Sequence, residues 1–146
     1  MHRAAIVFSA LIIACSPTPS RALQRGLETP EATLNTYVDG LKRGDLTTVR
    51  RAYNLDLTGS GFNLPGPLPI TSYRITKKSV LDSAAVKRHN GRGVVPPARV
   101  GDVELEVDEI TQGKSEKFWY WLRLFDSQWR IYAHTGSGAG GLFPQP

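Results

Sequence analysis

Five side chains in this sequence are candidates for moving protons in an interior site: Tyr37, Tyr53, Asp56, Tyr132 and His134. A carboxylate or imidazole can remove a proton while a tyrosine hydroxyl or a carboxylic acid steadies the resulting oxyanion. The spacing argues against such a pair. Tyr132 and His134 lie two apart on a strand whose alternate residues, Trp129 and Ile131, suit the core, so both are expected to point outward. Tyr37 falls on the apolar side of a helix and reads as a core aromatic. His134 borders a glycine-rich tail and reads as a solvated strand end. His89, between Arg88 and Asn90, reads as surface. No residue is assigned a catalytic role, and Tyr37 and Tyr53 are kept as candidate lining of an interior pocket.

Metal and phosphate chemistry finds little support. The three histidines, His2, His89 and His134, do not cluster. Asp102, Glu104, Glu106 and Asp108 share one face of a strand. A hard cation needs oxygens wrapped around it by a loop, so these acids read as a solvated face opposed by Lys114, Lys117, Arg123 or Arg130 on neighbouring strands. The glycine run 136–141 has no lysine and no following helix, so it is no phosphate loop. Neither a metal nor a cofactor is expected.

The single cysteine carries the sharpest signal. Met1, His2 and Arg3 form a short positive start, and residues 4–13 (AAIVFSALII) are apolar but for Ser9. About 20 apolar residues are needed to span a bilayer, so this run suits a signal segment. It ends in Ile12-Ile13-Ala14-Cys15, which resembles the lipobox of bacterial lipoproteins. The resemblance implies cleavage before Cys15 and acylation of its sulfur with palmitate-type chains. It implies a lipid-anchored protein of the bacterial cell envelope, on the outer membrane where the host has two, because Ser16 and not Asp follows the cysteine. One cysteine also excludes an internal disulfide. The formal charge of +5 falls to +4 once Arg3 is cleaved away with residues 1–14.

Two surface features invite partners. Between positions 74 and 99 stand Arg74, Lys77, Lys78, Lys87, Arg88, Arg92 and Arg99 against Asp82 alone. On a tethered domain this patch could meet anionic headgroups or an acidic partner, or it is an ordinary solvated connection. Nucleic acid is not expected outside the cytoplasm. Residues 118–125 (FWYWLRLF) are apolar on both strand faces, where a strand with one wet face would alternate. Phe118, Tyr120, Leu122 and Leu124 take one face; Trp119, Trp121 and Phe125 take the other. The second face is expected to meet a second subunit, an envelope partner, or a covering loop from 54–72 or 83–99.

The elements that position these residues divide the chain into a signal segment (1–14), a lipidated Cys15 with a Pro-stiffened tether (15–28), a folded domain (29–135) and a Gly/Pro-rich tail (136–146). Thr29-Pro30-Glu31 starts a helix with Leu34, Tyr37, Val38 and Leu41 on one face, ended by Gly44. Asp45 caps a second, short helix. Tyr73, Ile75 and Lys77 are expected on one face of a first strand. Residues 83–99 read as a long irregular connection broken by Asn90-Gly91 and Pro96-Pro97. Val103, Leu105 and Val107 mark a half-buried second strand; residues 117–125 and 129–134 supply two more. The pattern is α+β, two helices followed by an antiparallel meander.

The opening Thr29-Pro30-Glu31 helix with Tyr37-Val38, the Gly44-Asp45 break, and the closing hairpin through Trp121 and Trp129-Arg130-Ile131 resemble the NTF2-like (SnoaL-like, cystatin-like cone) superfamily. The resemblance implies N-terminal helices packed in a curved antiparallel sheet that encloses a conical pocket. It implies no single activity, since that superfold carries isomerases, dehydratases and binding modules alike. The expectation is a non-catalytic, membrane-tethered domain that binds a partner or a small hydrophobic ligand. The alternatives are a pocket enzyme of the isomerase or dehydratase kind and a purely structural envelope lipoprotein.

Overall fold

The computed structural model of the chain describes residues 25–54, 70–91 and 96–136. Helix α1 spans Pro30–Arg43 and starts as its sequence directs. The Thr29 side chain accepts from the Ala32 N–H at 3.1 Å, with Pro30 in the first turn. A cap of this kind is worth roughly 1 kcal/mol. Gly44 ends the helix in the left-handed conformation, φ 66°, which a side chain disfavours. Helix α2, Leu46–Ala52, follows at once, its Asp45 cap accepting from the Thr48 N–H at 3.1 Å. Beyond α2 the chain lies along a sheet edge: Tyr53 bridges Ile131, and the Asn54 N–H donates to the Ile131 carbonyl at 2.7 Å.

Four strands follow, β1 (Ile70–Val80), β2 (Val103–Thr111), β3 (Lys114–Phe125) and β4 (Gln128–Gly136), all antiparallel and in the order β1-β2-β3-β4. The sheet is open, neither closed nor curled. The conical enclosure expected from the sequence is therefore corrected, while the α+β class stands. The reason is that no pairing joins β1 to β4 among the described strands, so the sheet keeps two separate edges.

One face of the sheet, here the inner face, packs on α1 and α2. Leu34, Tyr37, Val38, Leu41 and Val49 meet Val103, Leu105, Val107, Tyr120, Leu122 and Ile131 in a single core. The core reaches back past the expected start of the domain. Leu27 is fully buried, and its carbonyl accepts from the Trp129 N–H at 2.9 Å.

The outer face is covered by a helix where an irregular connection was expected. Helix α3 spans Ser83–Asn90 with an Asp82 cap, whose side chain accepts from the Ala85 N–H at 2.7 Å. Asn90-Gly91 ends this helix and does not prevent it. Asn90 then holds the returning chain by two hydrogen bonds to Ala98, one from the Ala98 N–H at 2.7 Å and one to its carbonyl at 3.2 Å. Ala85 and Val86 of α3 pack with Leu81 and Ala98 onto Trp119, Trp121, Tyr132 and Ala133.

Candidate functional site

A β-bulge decides which residues meet inside. In the β3–β4 ladder Leu122 pairs with Ile131 but Trp121 pairs with Ala133, so Tyr132 is an extra residue in β4. A bulge reverses the alternation beyond it. Ile131 faces the helices, Tyr132 and Ala133 face α3, and His134 returns to the inner face opposite Tyr120. The expectation that His134 points outward is thus corrected, whereas Tyr132 lies on the outer face but is fully buried there in the second cluster.

His134 enters a cluster of aromatic side chains. Its ring stacks on Tyr120, centroids 5.3 Å apart and planes 16° apart. The Tyr53 hydroxyl lies 3.3 Å from His134 Nδ1, with the Tyr53 ring edge-on at 5.8 Å. Tyr37 sits at the centre, 5.9 Å from both Tyr53 and Tyr120 and 6.2 Å from His134. Helix α1 supplies Tyr37, the end of α2 supplies Tyr53, and β3 and β4 supply the rest. Both tyrosines picked from the sequence as pocket lining are buried, and the structure brings them together.

A carboxyl completes the group. Glu109 is buried on the inner face of β2, where it continues the series Val103, Leu105, Val107. The Tyr120 hydroxyl donates to Glu109 Oε1. Sequence reasoning passed over Glu109, although its two-residue spacing from Val107 carried the signal.

Burial sets the protonation of these groups. It lowers the His134 pKa from 6.5 to about 4, so the imidazole is neutral at pH 7. It raises the Glu109 pKa, against the Tyr120 hydrogen bond that lowers it. Glu116, its partner across the β2–β3 ladder, raises it further. Tyr37, Tyr53 and Tyr120 are pushed above the ordinary phenol value, chiefly by desolvation. The set can donate hydrogen bonds and hold a neutral imidazole. It does not generate a phenolate.

Two surface depressions of about 320 Å³ each lie elsewhere, and neither is lined by the cluster. One is bordered by Ser72, Tyr73, Arg74, Asp108, Ile110 and Ser115. The other lies between β1 and α3, with Lys77, Leu81, Arg88 and Glu104 among its walls.

The basic residues do not form one patch. A bulge between Ile75 and Lys77 turns Lys77 outward opposite Glu106, so it does not share the face of Tyr73 and Ile75 as expected. It leaves Lys78 level with Leu105, and Lys78 pairs with Glu31 of α1 at 2.8 Å. Arg74 pairs with Asp108 at 3.3 Å. Lys117 bonds Glu106 and lies 3.5 Å from Asp108. Glu106 and Asp108 are thus opposed by cations from the neighbouring strands, as expected of a solvated face, but Asp102 is buried against Arg123 and Glu104 accepts from the Trp121 indole, because α3 covers that end of the face. Lys87 and Arg88 lie exposed on α3 and Arg99 on the following turn. Arg92 lies outside the described residues, as do Asp56 and Cys15.

The aromatic outer face meets its cover within the chain. Trp121 is 6% exposed, packs against the His89 ring of α3 with centroids 4.4 Å apart and planes tilted by 58°, and donates its indole N–H to Glu104 at 2.8 Å. Trp119 packs beside it and Phe125 is half-buried. A second subunit is not needed to bury Trp121. His89, read as surface, is buried under this contact. Among the described residues no group of three or more His, Cys, Asp or Glu could hold a metal ion. No described helix is long and apolar enough to cross a membrane.

No protein-family model matches the chain, and no curated protein matches it either. A crystal structure of an NTF2-like protein of unknown function from Shewanella baltica OS155 is similar to it, at 12% identity and a TM-score of 0.43. That match covers 73% of this chain and 90% of the other, and is a weak likeness to an NTF2-like fold.

Proposed function

We propose that the protein is a lipid-anchored component of a bacterial cell envelope whose α+β domain binds a partner and performs no catalysis. Acyl chains on Cys15 hold it at the membrane, and residues 16–24 link them to the domain. The observation that carries the non-catalytic reading is the mutual engagement of the interior groups. Tyr120 donates to Glu109, Tyr53 meets His134, and Tyr37 fills the space between them. Two pairs of polar groups in the cluster bond one another, and such paired interior groups support a core-specifying role. A partner is then met on the surface. The test of the anchor is the mass of the N-terminal peptide together with cell fractionation. A diacylated Cys15 and a Cys15→Ala variant lost from the membrane are expected; membrane fractionation unchanged in that variant would overturn the reading.

A second reading keeps the cluster as the site of an enzyme acting on a small hydrophobic molecule. The observation in its favour is the raised pKa of buried Glu109 beside a neutral His134. A carboxyl whose neutral form is favoured by burial, together with a tyrosine hydroxyl, suits the carbonyl oxygen of an enolising substrate. Titration with cyclohexenone, followed by the ring proton signals of His134, separates the readings. Saturable shifts support the enzyme, and unchanged signals support the packed core.

A further inference from the structure

We propose that one end of the sheet, carrying Val80, Val100 and Leu124, docks on the phospholipid bilayer that holds the Cys15 acyl chains. The inference rests on the lipid-anchor reading and adds an orientation to it. Among the described residues the three most exposed large hydrophobic side chains are Val80 and Val100, each 65%, and Leu124, 53%. They do not scatter. The antiparallel register aligns Val80 with Val103 and Val103 with Leu122, so Leu124 projects just beyond the row that ends in Val80. Val100 lies in the turn entering β2. Hydrogen bonds from the Gly101 N–H to the Leu81 carbonyl, 2.9 Å, and from the Leu81 N–H to the Asp102 carbonyl, 2.8 Å, hold that turn beside Val80. Three apolar tips thus converge on one end. The opposite end carries the Gln112-Gly113 turn with exposed Lys114, Ser115 and Glu116.

The chain enters the fold at the same end. Leu124 pairs with Trp129, and the Trp129 N–H donates to the Leu27 carbonyl at 2.9 Å. Ten residue steps separate Cys15 from Arg25. Fully extended they reach about 35 Å, so the tether holds this end within a domain's width of the lipid. Charge there nearly cancels. Arg25, Arg99, Asp82 and Asp126 are all exposed, two of each sign, and Lys78 is paired with Glu31. Apolar contact with the acyl boundary, rather than attraction to anionic headgroups, is the fitting interaction.

The full lipidated chain tests this after reconstitution into phosphatidylcholine vesicles containing a doxyl-labelled lipid quencher. Because an acylated Cys15 has no free thiol, a fluorescent maleimide would label only an introduced cysteine, Val100→Cys at the docking end or Lys114→Cys at the far end. We expect the probe at 100 to be quenched at least twofold more than the probe at 114. Equal quenching at both positions, on protein that floats with the vesicles and carries acyl chains, overturns the docking and leaves the anchor standing. A blue-shifted but unquenched probe at 100 indicates a second copy on the tips and also overturns it. Protein without acyl chains overturns the anchor, and the docking with it.

Discussion

The Tyr120 hydroxyl donates to the Glu109 carboxyl inside a core otherwise built of aromatic and aliphatic side chains. The contact joins two adjacent strands on the face that packs against the helices. It spares the carboxyl an unbonded burial but leaves it without a neighbouring cation, and Glu116 stands opposite.

Glu109→Gln is therefore expected to stabilise the fold at pH 7. Glutamine keeps an acceptor for Tyr120 and has no charge to desolvate. A raised carboxyl pKa contributes stability that is present below the unfolded value and is lost as pH rises through the folded value. The gain from Glu109→Gln should accordingly grow between pH 5 and 8. Tyr120→Phe removes the donor and leaves the buried carboxyl unsatisfied, at a cost of about 1–3 kcal/mol. Urea denaturation of both variants across that pH range checks the signs; a Gln variant less stable than the native chain at pH 8 would refute the account.

His134 gives the opposite pH dependence. Its folded pKa of about 4 lies below the ordinary value of 6.5, so between those values the unfolded chain binds the extra proton. Stability should fall as pH drops from 6.5 towards 4, by about 3 kcal/mol if the whole shift is expressed. His134→Phe keeps a ring against Tyr120 and removes this proton uptake. Its stability should be flatter over the acid limb than that of the native chain. Parallel acid limbs for the two proteins would show that His134 is not the group that titrates.

The helices and strand faces were legible where the physics is local. Thr29, Pro30, Gly44 and Asp45 announce the ends of α1 and α2 through their own backbone and capping chemistry. Val103, Leu105 and Val107 announce the inner face of β2 by alternation. Three things were not legible. Alternation fails across a bulge, and the bulges near Thr76 and at Tyr132 moved Lys77, Lys78 and His134 to faces that counting by two does not give. A bulge is set by the partner strand, which a one-dimensional reading lacks. Helix α3 was hidden for another reason. Its residues Ser83–Asn90 are mostly polar, and what fixes them is burial of Val86 and His89 over Trp121 from a distant strand. The openness of the sheet is likewise a long-range property.

Arg123 and Asp102 form a buried polar contact on the opposite face of the sheet. Arg123 Nε and Nη2 donate to the two Asp102 oxygens at 2.8 and 2.7 Å, and Nη2 also donates to the Pro97 carbonyl at 2.9 Å. The guanidinium lies 4.7 Å from the Tyr132 ring. Removing one partner of such a pair leaves a buried charge, so Asp102→Ala is expected to cost about 3–5 kcal/mol. Because the same arginine ties residue 97 to β3, amide exchange in residues 96–102 should also accelerate. The double variant Asp102→Leu with Arg123→Met should recover much of the loss. A double variant as unstable as Asp102→Ala would mean that the pair's hydrogen bonds, and not the orphaned charge, dominate.

Gly40 pits two effects against each other. It lies within α1, where replacing glycine by alanine ordinarily stabilises a helix by about 1 kcal/mol. Here α1 crosses α2 closely. A Cβ at position 40 would stand 2.8 Å from Val49 Cγ2 and 3.2 Å from the Val49 backbone nitrogen. The methyl can turn away, but the backbone nitrogen moves only with α2. Overpacking of this kind costs about 1–3 kcal/mol. The steric term should win, making Gly40→Ala destabilising by about 1 kcal/mol in thermal or urea unfolding. Val49→Ala in the same chain removes the nearer contact, so the penalty for Gly40→Ala should shrink in that background. An unchanged penalty would place the conflict at the Val49 backbone instead of its side chain.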